Sequence, residues 1–85
     1  MNRMTEENII ELKFEKQYVS AEESGSDEFY YYSYRIGNMD LITNSDDESK
    51  NGGLWYAEIL ESGVRFYNFK ELKIVIELME LNKIN

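Results

Sequence analysis

The sequence predicts an α+β domain: an antiparallel β-meander of about five strands with a C-terminal helix packed on one face. Three observations predict it. Residues 28–36 hold four of the seven tyrosines and read as one long extended segment. Gly37-Asn38 follows as a two-residue hairpin turn, with residues 39–44 as the returning strand. Phe69 to Lys83 then combines a capping signal with helical periodicity. The 85 residues suit a single domain, 1–85, with one small core.

Thr5-Glu6-Glu7 suits a helix N-terminus, an oxygen side chain followed by acids. Ile10, Leu12, Phe14 and Tyr18 then alternate with Glu11, Lys13, Glu15 and Gln17, which predicts a half-buried strand over residues 10–19. Ile10, Phe14 and Tyr18 also fit a helical stripe that leaves Leu12 off it, so a helix over residues 5–18 is the alternative. Ala21 to Asp27 is a loop by composition.

A turn at Gly37-Asn38 dictates the register of the hairpin. Ile36 falls opposite Met39, Arg35 opposite Asp40, Tyr34 opposite Leu41, Ser33 opposite Ile42, Tyr32 opposite Thr43 and Tyr31 opposite Asn44. Tyr30, Tyr32, Tyr34, Ile36, Met39 and Leu41 then form an apolar core face. Phe29, Tyr31, Ser33, Arg35, Asp40 and Ile42 form the other face, with Arg35 and Asp40 as a cross-strand ion pair.

Asn44 to Gly53 is read as a polar loop. Residues 54–61 form the next strand, with Trp55, Ala57 and Ile59 on one face and Leu54, Tyr56 and Leu60 on the other. Glu61-Ser62-Gly63 turns the chain, and residues 64–67 return. Asn68 and Glu71 make a capping box, with Tyr67 and Leu72 as a hydrophobic staple. Phe69, Leu72, Val75, Ile76 and Met79 form the core stripe of the last helix. A second apolar line, Ile74, Leu78 and Leu81, is either a homodimer seam or is covered by residues 1–9.

Composition excludes several functions. Without cysteine there is no disulfide framework or thiolate metal site. Without histidine the commonest general base and metal ligand is missing. No apolar run reaches bilayer length, and residues 1–20 are too charged for a signal peptide, so a soluble cytoplasmic protein is expected. The net charge of −8 opposes direct contact with nucleic acid or an anionic membrane and favours a basic partner.

The charge is concentrated. Ser20 to Lys50 holds eight acids and two bases, so that segment carries −6 of the total −8. The hairpin register brings Glu22, Glu23, Asp27 and Glu28 to the same end as Asp46, Asp47 and Glu48. The functional reading is a cluster aimed at a basic surface, and the plainer one is a pair of solvated loops. Tyr31, Phe29 and Trp55 are expected on the less covered face, where Tyr31 and Trp55 would anchor a partner. The alternative is a second core layer beneath the N-terminal segment.

Two further patterns carry little. Residues 47–58 match EF-hand spacing through Asp47, Ser49, Asn51, Gly52, Leu54 and Glu58, but the entering segment is a β-hairpin and Trp55 replaces the usual polar residue. No metal or other cofactor is expected. Paired carboxylates on loops with no enclosing pocket do not predict an enzyme.

In size, charge, absence of cysteine and acidic connections, the chain resembles the small acidic inhibitors of phages and mobile elements, such as anti-CRISPR proteins and other DNA mimics. The resemblance includes no diagnostic motif. It implies that Glu22, Glu23, Asp27, Glu28, Asp46, Asp47 and Glu48 stand in for phosphates and block the basic groove of a nucleic-acid enzyme. The alternatives are an immunity protein that neutralises a basic toxin and a small homodimeric assembly protein built on Ile74, Leu78 and Leu81.

Overall fold

The computed structural model describes residues 3–52 and 54–83 of the chain. The elements in order are α1 (Glu6–Glu11), β1 (Glu15–Val19), α2 (Ala21–Ser24), β2 (Phe29–Ile36), β3 (Met39–Thr43), α3 (Asp46–Gly52), β4 (Ala57–Ile59), β5 (Arg65–Phe66) and α4 (Phe69–Asn82). The strands form one antiparallel sheet in the order β1-β2-β3-β4-β5. The α+β meander with a C-terminal helix is therefore the fold of the chain.

The hairpin register is the one the turn predicts, from Ile36 opposite Met39 to Ser33 opposite Ile42. Gly37 takes a φ of +59°, a left-handed value that glycine adopts without a Cβ penalty. The ladder stops short of Tyr32 and Thr43, and side chains take over from there. The Tyr32 amide donates to Thr43 Oγ1 at 2.9 Å, and the Tyr30 amide donates to Asp46 Oδ1, also at 2.9 Å. The backbone donors of β2 thus stay satisfied while β3 turns away into α3.

The N-terminal segment corrects the first strand. Thr5 caps α1 through a reciprocal box with Asn8, so residues 6–11 are helical. Lys13, at a φ of +73°, reverses the chain, and β1 begins only at Glu15. Ile9 is fully buried while Ile10 is exposed, which inverts the face expected from alternation. Packing decides it: Met4, Ile9 and Phe14 together reach the core.

Two expected loops are helical. Ser20 and Glu23 form a reciprocal capping box on α2, and Gly25 ends it in a left-handed conformation at a φ of +76°. Ser45 Oγ accepts the Glu48 amide at 3.5 Å, and the Ser45 carbonyl accepts the Ser49 amide at 3.1 Å to open α3. The stretch before β4 is also not a strand. Asn44, itself buried, clamps it by donating to the Leu54 carbonyl at 2.8 Å and accepting the Tyr56 amide at 3.0 Å.

The core joins Met4, Ile9 and Phe14 to Tyr32, Ile36, Leu41 and Ala57 of the sheet and Leu72 and Ile76 of α4. Leu41 and Leu72 are fully excluded from water, each worth about 2 kcal/mol of transfer free energy. Tyr32 Oη donates to Glu6 at 2.6 Å and Tyr34 Oη to Glu80 at 2.8 Å, so the long aromatic side chains finish on polar partners. Met39 is exposed rather than inward, because it borders the hairpin tip beside an open hollow with Met79 and Asn82.

Asn68 caps α4 by accepting the Lys70 and Glu71 amides at 2.9 and 3.2 Å. Ile74, Leu78 and Leu81 are 57, 55 and 81 % exposed, so residues 3–9 do not cover them. No helix among the described residues is long and apolar enough to cross a membrane.

Candidate interaction site: an acid-rimmed aromatic groove

Alternation along the strands places Phe29, Tyr31, Ser33, Ile42, Glu58 and Arg65 on the sheet face away from the core. The register sets Ser33 beside Ile42, Ile42 beside Glu58, and Glu58 beside Arg65. A groove of about 520 Å³ lies here, with Phe29, Tyr31, Ile42 and Tyr56 as its apolar lining. Glu58 and Arg65 reach it from the strands, while Ser26, Asp47 and Glu48 reach it from the connections after β1 and β3.

The two acidic connections do meet at one end of the hairpin, since Ser26 of one and Asp47 and Glu48 of the other line the same groove. The Ser20–Glu23 capping box on α2 and the Ser45 hydroxyl at the start of α3 position them. Glu22, Glu23, Asp27, Glu28, Asp47 and Glu48 are all exposed. The Glu28 carboxylate, as the leading cause, raises the pKa of the Tyr18 hydroxyl.

Asp46 departs from the expected set, because it is turned inward. Its residue is only 9 % exposed, and its carboxylate holds the Tyr30 amide at 2.9 Å and Lys50 at 3.5 Å. Burial pushes its pKa up, but bonds from the Tyr30 amide and Lys50 outweigh burial and hold it below the ordinary value. Asp46 therefore fastens the start of α3 to β2 and offers little to a partner.

Trp55 is also corrected. It lies partly buried against the core, with its ring 5.8 Å from that of Tyr32 and 6.5 Å from that of Tyr30. It shares the parity of the buried Ala57, which sets it on the face opposite Tyr31. In that layer the Tyr30 pKa is pushed up to about 12, first by the neighbouring Glu6 carboxylate and then by burial. The calcium-loop reading fails as well. Asp47 to Gly52 is helical, and Glu58 sits in β4 bonded to Arg65.

Sequence reasoning missed Tyr56, Glu58 and Arg65 as members of the site. Arg65 Nε donates to Glu58 Oε1 at 2.7 Å, and the guanidinium lies 4.5 Å from the centre of the Tyr56 ring. The signal was available, since Tyr56 and Glu58 share the parity opposite Ala57. What the groove can do chemically is hold cations, through ring faces below and carboxylates at the rim. No protein-family model, curated protein or solved structure matches the chain.

Proposed function

We propose that the chain is an acidic protein-binding inhibitor, a DNA mimic that occupies the basic nucleic-acid groove of a host defence nuclease such as a CRISPR effector. The observation that supports this reading is that two acidic connections reach one aromatic groove, which Asp47 and Glu48 line from one side and Ser26 from the other. Glu22, Glu23, Asp27, Glu28, Asp47 and Glu48 come from two connections that reach the same end of the sheet. Like charges so gathered repel one another, and a basic surface relieves that repulsion. Carboxylates then take the lysines and arginines that otherwise meet phosphates, and Tyr31 supplies an anchor. The partner is a basic protein of the cytoplasm, and the chain itself performs no catalysis. An immunity protein against a basic toxin would use the same surface.

A capture experiment with competition tests the proposal. Immobilised protein is expected to retain a basic nucleic-acid enzyme from a cell lysate and to release it as salt rises or when duplex DNA is added. Replacing Asp27, Glu28, Asp47 and Glu48 with Asn or Gln is expected to abolish retention. Retention unchanged by those four replacements, or unaffected by DNA, would overturn the proposal.

A second reading rests on a different observation. The exposed line Ile74, Leu78 and Leu81 along α4 supports a homodimeric assembly protein in which the acids only solubilise.

A further inference from the structure

Half of the groove is already built around an arginine. Arg65 lies against the Tyr56 ring at 4.5 Å and donates to Glu58 at 2.7 Å, so one ring face and one carboxylate hold one guanidinium. A second ring and two further carboxylates line the same groove. Tyr31 lines it half-buried, and Asp47 and Glu48 line it exposed. The four ion pairs of the described residues leave both carboxylates out, because Lys50 turns to Asp46 instead.

We infer that Tyr31, Asp47 and Glu48 dock an arginine side chain carried on a basic segment of the partner protein. The inference rests on the protein-binding reading above and specifies its central contact. Charge complementarity selects a cation. The ring selects arginine over lysine, because a planar guanidinium stacks on an aromatic face and pairs with carboxylates in a fork, whereas an ammonium remains a hydrated point charge. Phe29 and Ile42 line the groove nearby and can cover the methylene stem. A volume of about 520 Å³ exceeds one such side chain, leaving room for its neighbours on the segment.

The test is an NMR titration with the capped tripeptides Gly-Arg-Gly and Gly-Lys-Gly, read at the tyrosine ring signals and backbone amides. The arginine peptide is expected to shift Tyr31, Asp47 and Glu48 saturably and to bind about two- to fivefold more tightly than the lysine peptide. Asp47→Asn with Glu48→Gln should weaken it about fivefold or more. Tyr31→Leu should remove the arginine preference, and Tyr31→Phe, which keeps the ring, should retain it. Thermal melts establish that each variant is folded, and the Tyr31→Phe result holds even if Tyr31→Leu is not. Equal binding of the two peptides, or shifts confined to Glu22 and Glu23, overturns the inference. The two hypotheses fail separately. Loss of peptide docking with capture intact removes only the arginine pocket. Peptide docking at Tyr31 in a protein that captures nothing supports the pocket and removes the inhibitor reading.

Discussion

Replacing Asp46 with Ala separates the structural acid from those that face solvent. The Asp46 carboxylate is nearly buried and accepts the Tyr30 amide at 2.9 Å. Alanine leaves that amide without an acceptor at the point where β3 has already turned into α3. An unsatisfied donor of this kind costs about 1–3 kcal/mol. For a domain of this size, a loss of about 2 kcal/mol lowers the melting temperature by about 8–16 °C. Total stability is about 4–13 kcal/mol for 85 residues, so the loss is a large fraction of it. Asp46→Asn keeps an oxygen acceptor and is expected to lose less. Asp47→Asn and Glu48→Gln, both exposed, should change stability by no more than about 0.5 kcal/mol. Thermal and urea denaturation followed by circular dichroism at pH 7 measures all four.

The pH dependence gives a second readout of the same carboxylate. Its folded pKa lies below the ordinary value, so its contribution is fully present above the unfolded pKa and is lost as pH falls through the folded one. The gap between wild type and Asp46→Ala should therefore be wide at pH 7 and close in strong acid. Asp46→Ala as stable as wild type, or Asp47→Asn equally damaging, would refute the reasoning.

Three further predictions follow from the same geometry. Thr43→Val removes the oxygen that accepts the Tyr32 amide at 2.9 Å inside the core and should cost about 1–3 kcal/mol in urea denaturation. Tyr34→Phe deletes the hydroxyl that, as the leading cause, lowers the Glu80 pKa, so that pKa should rise toward the ordinary value in a carboxyl NMR titration. If Ile74, Leu78 and Leu81 form a seam, light scattering should find a dimer that Ile74→Lys with Leu78→Lys converts to monomer; a wild-type monomer at high concentration excludes the seam.

The groove was partly legible in sequence. Its acids were found because the hairpin register brings two connections to one end, and Tyr31 was found because parity sets it opposite Tyr30 and Tyr32. Arg65 and Glu58 were not singled out, because their pairing joins β4 to β5 and a two-residue strand gives no alternation to read. The helices α2 and α3 were missed despite an explicit signal. Ser20-Ala21-Glu22-Glu23 and Ser45-Asp46-Asp47-Glu48 are both Ser-x-x-Glu capping boxes, and the surrounding Gly, Ser and Asp content was given more weight than the spacing.

By itself the sequence determined the features that depend on neighbouring residues. These are the β2–β3 register, set by a two-residue turn, the Asn68 cap on α4, and the placing of acids on two connections. Tertiary structure alone decided the features that depend on distant partners. Ile9 rather than Ile10 faces the core because α1 docks with Met4 and Phe14. Asp46 serves the fold because an unpaired Tyr30 amide lies 16 residues away in sequence. In each case a buried apolar group or an unsatisfied backbone donor far along the chain outweighed the local pattern.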